Sequence, residues 1–163
     1  MTITTLANSV QTLQSSIITI LKADTATLSF THADDEVTTR TLSDLSIMDG
    51  VPVQLIKGIG FPHIIVHTPE ENTERLTLTK FKTEFNVHIE IIDRYEGNVR
   101  ILTDAVKDAL HNAQTTTKGS SYWWFGRRIR SNLNYNYLPS IKGEEGKPVW
   151  HMDLFLTYLW TGS

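Results

Sequence analysis

The chain reads as an α+β protein: a mainly antiparallel sheet of about four to six strands, with an N-terminal helix and a second helix packed on one face. Three observations predict this. Leu6, Val10, Leu13, Ile17, Ile20 and Leu21 recur at helical spacing. Phe85, Val87, Ile89 and Ile91 alternate with Glu84, Asn86, His88 and Glu90, the period of a strand with one buried face. Val99, Leu102, Val106, Ala109, Leu110 and Ala113 then trace one side of a second helix.

In chain order, the first helix is expected over Thr4 to Lys22, ended by Asp24. Ala26 to Phe30 is a short strand and His32 to Glu36 a turn. Thr38 to Met48 fits neither period, with sparse apolar residues at Leu42, Leu45 and Ile47, and Asp49-Gly50 marks a turn. Val51 to Ile56 is apolar but broken by Pro52. Gly58 and Gly60 lack the third glycine and the following helix of a nucleotide loop, so they are read as allowing a bend.

Pro62 to Thr68 is expected as a strand, with proline at its start or edge. Pro69 to Thr73 is expected as an exposed loop, Thr77 to Thr79 as an early start of the next strand, and Asn98 as the N-cap of the second helix. Thr115 to Ser121 is a loop. Leu133, Tyr135 and Tyr137 alternate with asparagines as a strand, and Pro139 to Pro148 is a hairpin loop. A long last strand runs from Val149 to about Trp160. It sets Trp150, Met152, Leu154, Leu156, Tyr158 and Trp160 on one side, and His151, Asp153, Phe155, Thr157 and Leu159 on the other. With no repeat, low-complexity stretch or composition break, residues 1–163 are taken as a single domain.

Composition narrows the function classes. A hydrophobic fraction of 40% and a charged fraction of 20% belong to a folded chain. A net charge of −3 gives no global pull toward nucleic acid or anionic membrane. Without cysteine there are no disulfides, thiolate zinc sites or cysteine nucleophiles, which suits a reducing cytoplasm. No apolar run approaches the roughly 20 residues of a membrane span. Met1 to Thr5 lacks a basic n-region, so no signal peptide is expected.

The chemistry-bearing residues form no recognised constellation. His63 and His67 on one strand would lie about 13 Å apart, too far for one ion, so exposed sheet-face histidines are preferred to a zinc site that adds His88 and Glu90. No serine sits in Gly-x-Ser-x-Gly, and no carboxylate pair is singled out. No catalytic, cofactor-binding or metal-binding residue is assigned, and no enzymatic activity is expected.

Charge is segregated instead. Asp34, Asp35 and Glu36 form an acidic knot, whereas no acid occurs from Ala109 through Gly143, where Arg127, Arg128 and Arg130 lie. These are either solvated segments or the two edges of a head-to-tail interface of the kind that closes rings. Trp123 and Trp124 beside the arginines could stack on bases, but aromatic and arginine residues are also enriched at protein interfaces, and the acidic whole favours the latter.

The order of these elements, with Phe61-Pro62-His63-Ile64-Ile65-Val66, the alternating strand from Phe85 to Ile92, the helix carrying Ile101-Leu102-x-x-Ala105-Val106-x-x-Ala109-Leu110, a polar hairpin and a long last strand, resembles the tail terminator (tail completion) proteins of long-tailed bacteriophages and related viruses. The resemblance covers most of the chain and is one of pattern. The stretch from Ala26 to Gly60 departs from the simplest version.

The resemblance implies a non-enzymatic virion protein at the tail–neck junction, assembled in the host cytoplasm. It would form a hexameric ring that caps the tail tube at its head-proximal end, stops polymerisation and docks the neck or head connector. DNA passing through the lumen would meet arginines only non-specifically, and no membrane is involved. Arg127, Arg128, Arg130, Asp34, Asp35, Glu36, Trp123 and Trp124 are the expected subunit or tube interface. Another head–tail connector (a neck, stopper or head-completion protein) is the alternative, followed by a small metal-dependent enzyme.

Overall fold

The computed structural model describes residues 4–31, 37–49, 62–75, 81–116, 124–137 and 148–162. Helix α1 spans Thr4–Ala23 and α2 spans Glu96–Thr116. The strands are β1 (Thr27–Thr31), β2 (Val37–Thr41), β3 (Ser46–Asp49), β4 (His63–Val66), β5 (Glu70–Arg75), β6 (Phe81–Asp93), β7 (Trp124–Tyr137) and β8 (Pro148–Gly162).

Two sheets form. β1 and β2 make an antiparallel pair, and the remaining strands make a six-stranded sheet ordered β3-β4-β6-β8-β7, with β5 also paired to β6. Every ladder of the large sheet is antiparallel except β3 with β4. This is the α+β class that the two periodicities predict.

The apolar face of the large sheet and the two helices enclose one core. Ile64 and Val66 of β4, Phe85 to Ile91 of β6 at alternate positions, and Leu154 and Leu156 of β8 meet Leu13, Ile17 and Leu21 of α1 and Val99, Leu102, Val106 and Leu110 of α2. The Gln14 amide donates to the Val66 carbonyl at 2.9 Å, tying α1 to the sheet. The side chains of Leu6, Val10 and Ala113 lie outside the described residues.

The stretch from Thr38 to Met48 carries three short elements, which explains its mixed period: the end of β2, a single 3-10 turn over Leu42–Asp44, and β3. Asp44 fixes that turn by accepting from the Thr41 backbone N–H at 3.0 Å and from its hydroxyl at 2.8 Å. Leu42, Leu45 and Ile47 thereby reach the core, joined by Phe30 of β1. The described residues of the stretch from Ala26 to Gly60 therefore build core and one sheet edge.

Several expectations need correction. Pro69 to Thr73 is not an exposed loop: Pro69 is buried and Glu70 onward is β5. β4 and β5 both run along the same edge of β6, and the join is a bulge. Val66 pairs Ile89 and Glu70 pairs Asn86, so three residues on one strand oppose two on the other. The polar composition of β5 reflects its exposure rather than a loop.

Asn98 is not the N-cap. Helix α2 starts earlier, the Val99 N–H donates to the Tyr95 carbonyl, and the buried Asn98 amide donates to the Asp93 carboxylate at 2.6 Å. The side chain that suggested a cap is spent on a tertiary bond instead. Thr115 and Thr116 belong to α2 rather than to the loop. β7 begins at Trp124 and so includes the basic patch, while β8 begins at Pro148. The turn at 32–36, the segment 50–61, Thr77 to Thr79, most of the 115–121 loop and the hairpin connection at 138–147 lie outside the described residues.

Candidate functional site

The face of the large sheet opposite the helices carries the polar members of the same strands. Antiparallel pairing puts directly opposed residues on one face, so the registers show which side chains meet. His67 opposes His88 across the β4–β6 edge, where the His67 N–H donates to the His88 carbonyl at 3.0 Å. Glu90 opposes Asp153, and His88 opposes Phe155, across β6 and β8. His151 lies two positions from Asp153, on the same face.

The result is a cluster of three imidazoles and two carboxylates. His67 Nε2 lies 3.2 Å from Glu90 Oε2, and His151 Nε2 lies 3.3 Å from Glu90 Oε1 and 3.4 Å from Asp153 Oδ1. His88 Nε2 hydrogen-bonds Asp153 Oδ1 at 2.7 Å. The His67 and His88 rings stack at 4.6 Å, and His88 stacks in turn on Phe155 at 4.7 Å. The Nε2 atoms of His67 and His151 are buried, and their polar contacts are with the carboxylates, at distances longer than the His88–Asp153 bond.

Two carboxylates placed directly across a ladder repel one another, and the flanking imidazoles offset that repulsion. The Glu90 carboxyl is held at about 2, chiefly by its close polar contact with His151 against the opposing effect of burial, with His67 adding to the first. The His151 imidazole is raised above its ordinary value by Glu90, again against burial, and Asp153 reinforces the rise.

Among the described residues, two trios have ligating atoms within 4.8 Å of one another: His67, His88 and Glu90, and Glu90, His151 and Asp153. Beside them an open cleft of about 530 Å³ runs past Thr68, Glu84, Asn86 and Thr157.

This corrects the reading of the histidines as exposed sheet-face residues. His63 is fully buried, and His67 and His88 are only about a third exposed. His67, His88 and Glu90 do come together, while His63 lies further along the face, opposite Ile92. His151 and Asp153 were missed as site residues. Their only signal in the sequence is their position on the polar side of the last strand, and that side becomes a site only through the β6–β8 register.

The expected interface residues stand elsewhere. Arg127, Arg128, Arg130 and Trp124 belong to β7, the strand at the β8 end of the sheet order. Phe125 pairs Tyr158 and Ile129 pairs Leu156, so three residues, Gly126, Arg127 and Arg128, oppose one. The two arginines thus sit in an edge bulge, a device that re-aims side chains and interrupts edge pairing. Asp34, Asp35, Glu36 and Trp123 lie outside the described residues.

No family model and no curated protein sequence matches this chain. Among solved structures it is similar to a chain from the virion of a native gene transfer agent particle. The TM-score is 0.56 and the identity 15%, covering 94% of this chain and 98% of that one. At that identity the likeness is one of fold, and it runs over nearly the whole of both chains.

Proposed function

We propose that the protein is a virion structural and assembly component that caps the tail tube at its head-proximal end, stops its polymerisation and joins it to the neck. It acts without catalysis, as a hexameric ring at the tail–neck junction. The observation that carries this reading is the end-to-end likeness of fold to a chain of a virion particle. The pattern resemblance to tail terminators agrees with it and supplies the finer role.

The arrangement of charge supports a head-to-tail ring. The acidic segment Asp34, Asp35 and Glu36 is separate in sequence from the arginines of β7, which occupy an edge strand. One subunit's acidic edge meeting the next subunit's basic edge is a heterologous contact, and such contacts close into rings. Because Arg127 and Arg128 lie in a bulge, replacing them leaves the paired stretches of the ladder intact.

The test is Arg127→Glu with Arg128→Glu. The expected result is loss of ring formation and of tail completion, read by light scattering and by electron microscopy of tails, with circular dichroism and Tm unchanged. Normal assembly by the double variant would overturn the electrostatic contact. Capture by the neck or portal proteins but never by the tail tube would move the assignment to another head–tail connector.

A further inference from the structure

We propose that the polar face of the sheet binds one divalent transition-metal cation of the zinc class, held by Glu90, His151 and Asp153. The inference is independent of the virion reading, because it rests on the cluster alone.

Three features point to a cation. First, the spacing fits. Zinc–nitrogen and zinc–oxygen bonds of about 2.0–2.2 Å set neighbouring ligand atoms about 3.4 Å apart in a tetrahedron. His151 Nε2 already lies 3.3 Å from Glu90 Oε1 and 3.4 Å from Asp153 Oδ1. Second, that nitrogen is buried and is aimed at one oxygen of each carboxylate, so all three donor atoms converge on one point. Third, Glu90 and Asp153 oppose each other directly across β6 and β8, a repulsive pair that a cation between them would turn into an attraction.

The donor set selects the metal. An imidazole with two carboxylates suits zinc and its neighbours, whereas magnesium and calcium prefer all-oxygen shells. His88 orients Asp153 through its 2.7 Å hydrogen bond, the role an outer-shell partner plays for a ligating carboxylate. His67 braces the other oxygen of Glu90. Three protein ligands leave a fourth position for water, and the bound ion would tie β6 to β8 in the middle of the sheet order.

The experiment uses the untagged 163-residue chain, stripped with a chelator and then titrated with zinc chloride, with magnesium and calcium chloride as controls. Expected are one zinc ion per chain by calorimetry, a rise in Tm with zinc only, and visible absorption of tetrahedral type on substitution with cobalt(II). Glu90→Gln with His151→Gln should abolish all three, while His111→Gln, at an exposed position of α2 away from the polar face, should change none. If the double variant does not fold, Asp153→Asn alone should weaken zinc binding by about tenfold or more. A folded wild-type protein that takes up no zinc, or binding that survives loss of these ligands, overturns the proposal.

Discussion

On the face under the helices, β6 presents Phe85, Val87, Ile89 and Ile91, each essentially inaccessible to solvent. On the other face the same strand presents Asn86, His88 and Glu90, which keep partial contact with solvent. β8 repeats the division, with Leu154 and Leu156 on one side and His151, Asp153 and Phe155 on the other. One pair of strands therefore supports two regions with different physics. The first is held by apolar burial, which does not depend on the protonation of any group. The second is held by a few polar contacts whose strength depends on protonation and on what else binds there.

Two phenylalanines test the division with the largest expected effect. Phe85 is fully buried among core residues, so Phe85→Ala should cost about 3–5 kcal/mol of unfolding free energy. Phe155 is only partly buried and stacks on His88. An aromatic stack contributes about 0.5–1.5 kcal/mol beyond area burial, so Phe155→Ala should cost clearly less than Phe85→Ala. Urea denaturation measures both. Equal losses would mean that the polar face carries as much of the fold as the core does.

The two faces were not equally legible in sequence. The core face was readable because period alone assigns it: the apolar members of β6, β8, α1 and α2 are determined by spacing along each element. The polar face was not, because its chemistry arises between strands. His67 meets His88 only through the β4–β6 register, and Glu90 meets His151 and Asp153 only through the β6–β8 register. Pairing register is a tertiary property, set by the core residues on the opposite side. β5 was misread for a related reason: a strand whose side chains are mostly exposed shows no apolar alternation.

A polar pair within the buried set gives a smaller effect. Asp93 and Asn98 are both buried at the junction of β6 and α2 and share a 2.6 Å hydrogen bond. Asn98→Ala removes a donor from a buried carboxylate and should cost about 1–3 kcal/mol. The loss should be seen as a lower denaturation midpoint with an unchanged m-value. A neutral result would show that this pair contributes no more than the half-exposed contacts of the polar face.

The smallest effect is also the most specific to the polar face, because it should change with pH while the core terms do not. Glu90 titrates at about 2 in the fold against an ordinary 4.5, so its contribution is complete above about 4.5 and is lost as pH falls through about 2. His151 is raised above its ordinary 6.5, so its contribution is complete below 6.5 and is lost as pH rises through the folded value. Both are at full strength only between about 4.5 and 6.5. The groups facing the pair are His67 beside β4, His88 on β6 and Asp153 on β8. At pH 5.5, in chelator, Glu90→Gln should therefore lower Tm. As pH rises through the folded value of His151 its charge is lost, and the opposed carboxylates of Glu90 and Asp153 lose that cation beside them, so the same substitution relieves repulsion and the Tm gap should shrink or reverse. A gap that widens toward pH 9 would mean that Glu90 is held by contacts indifferent to imidazole charge, and the contrast between the two faces would then be one of burial alone.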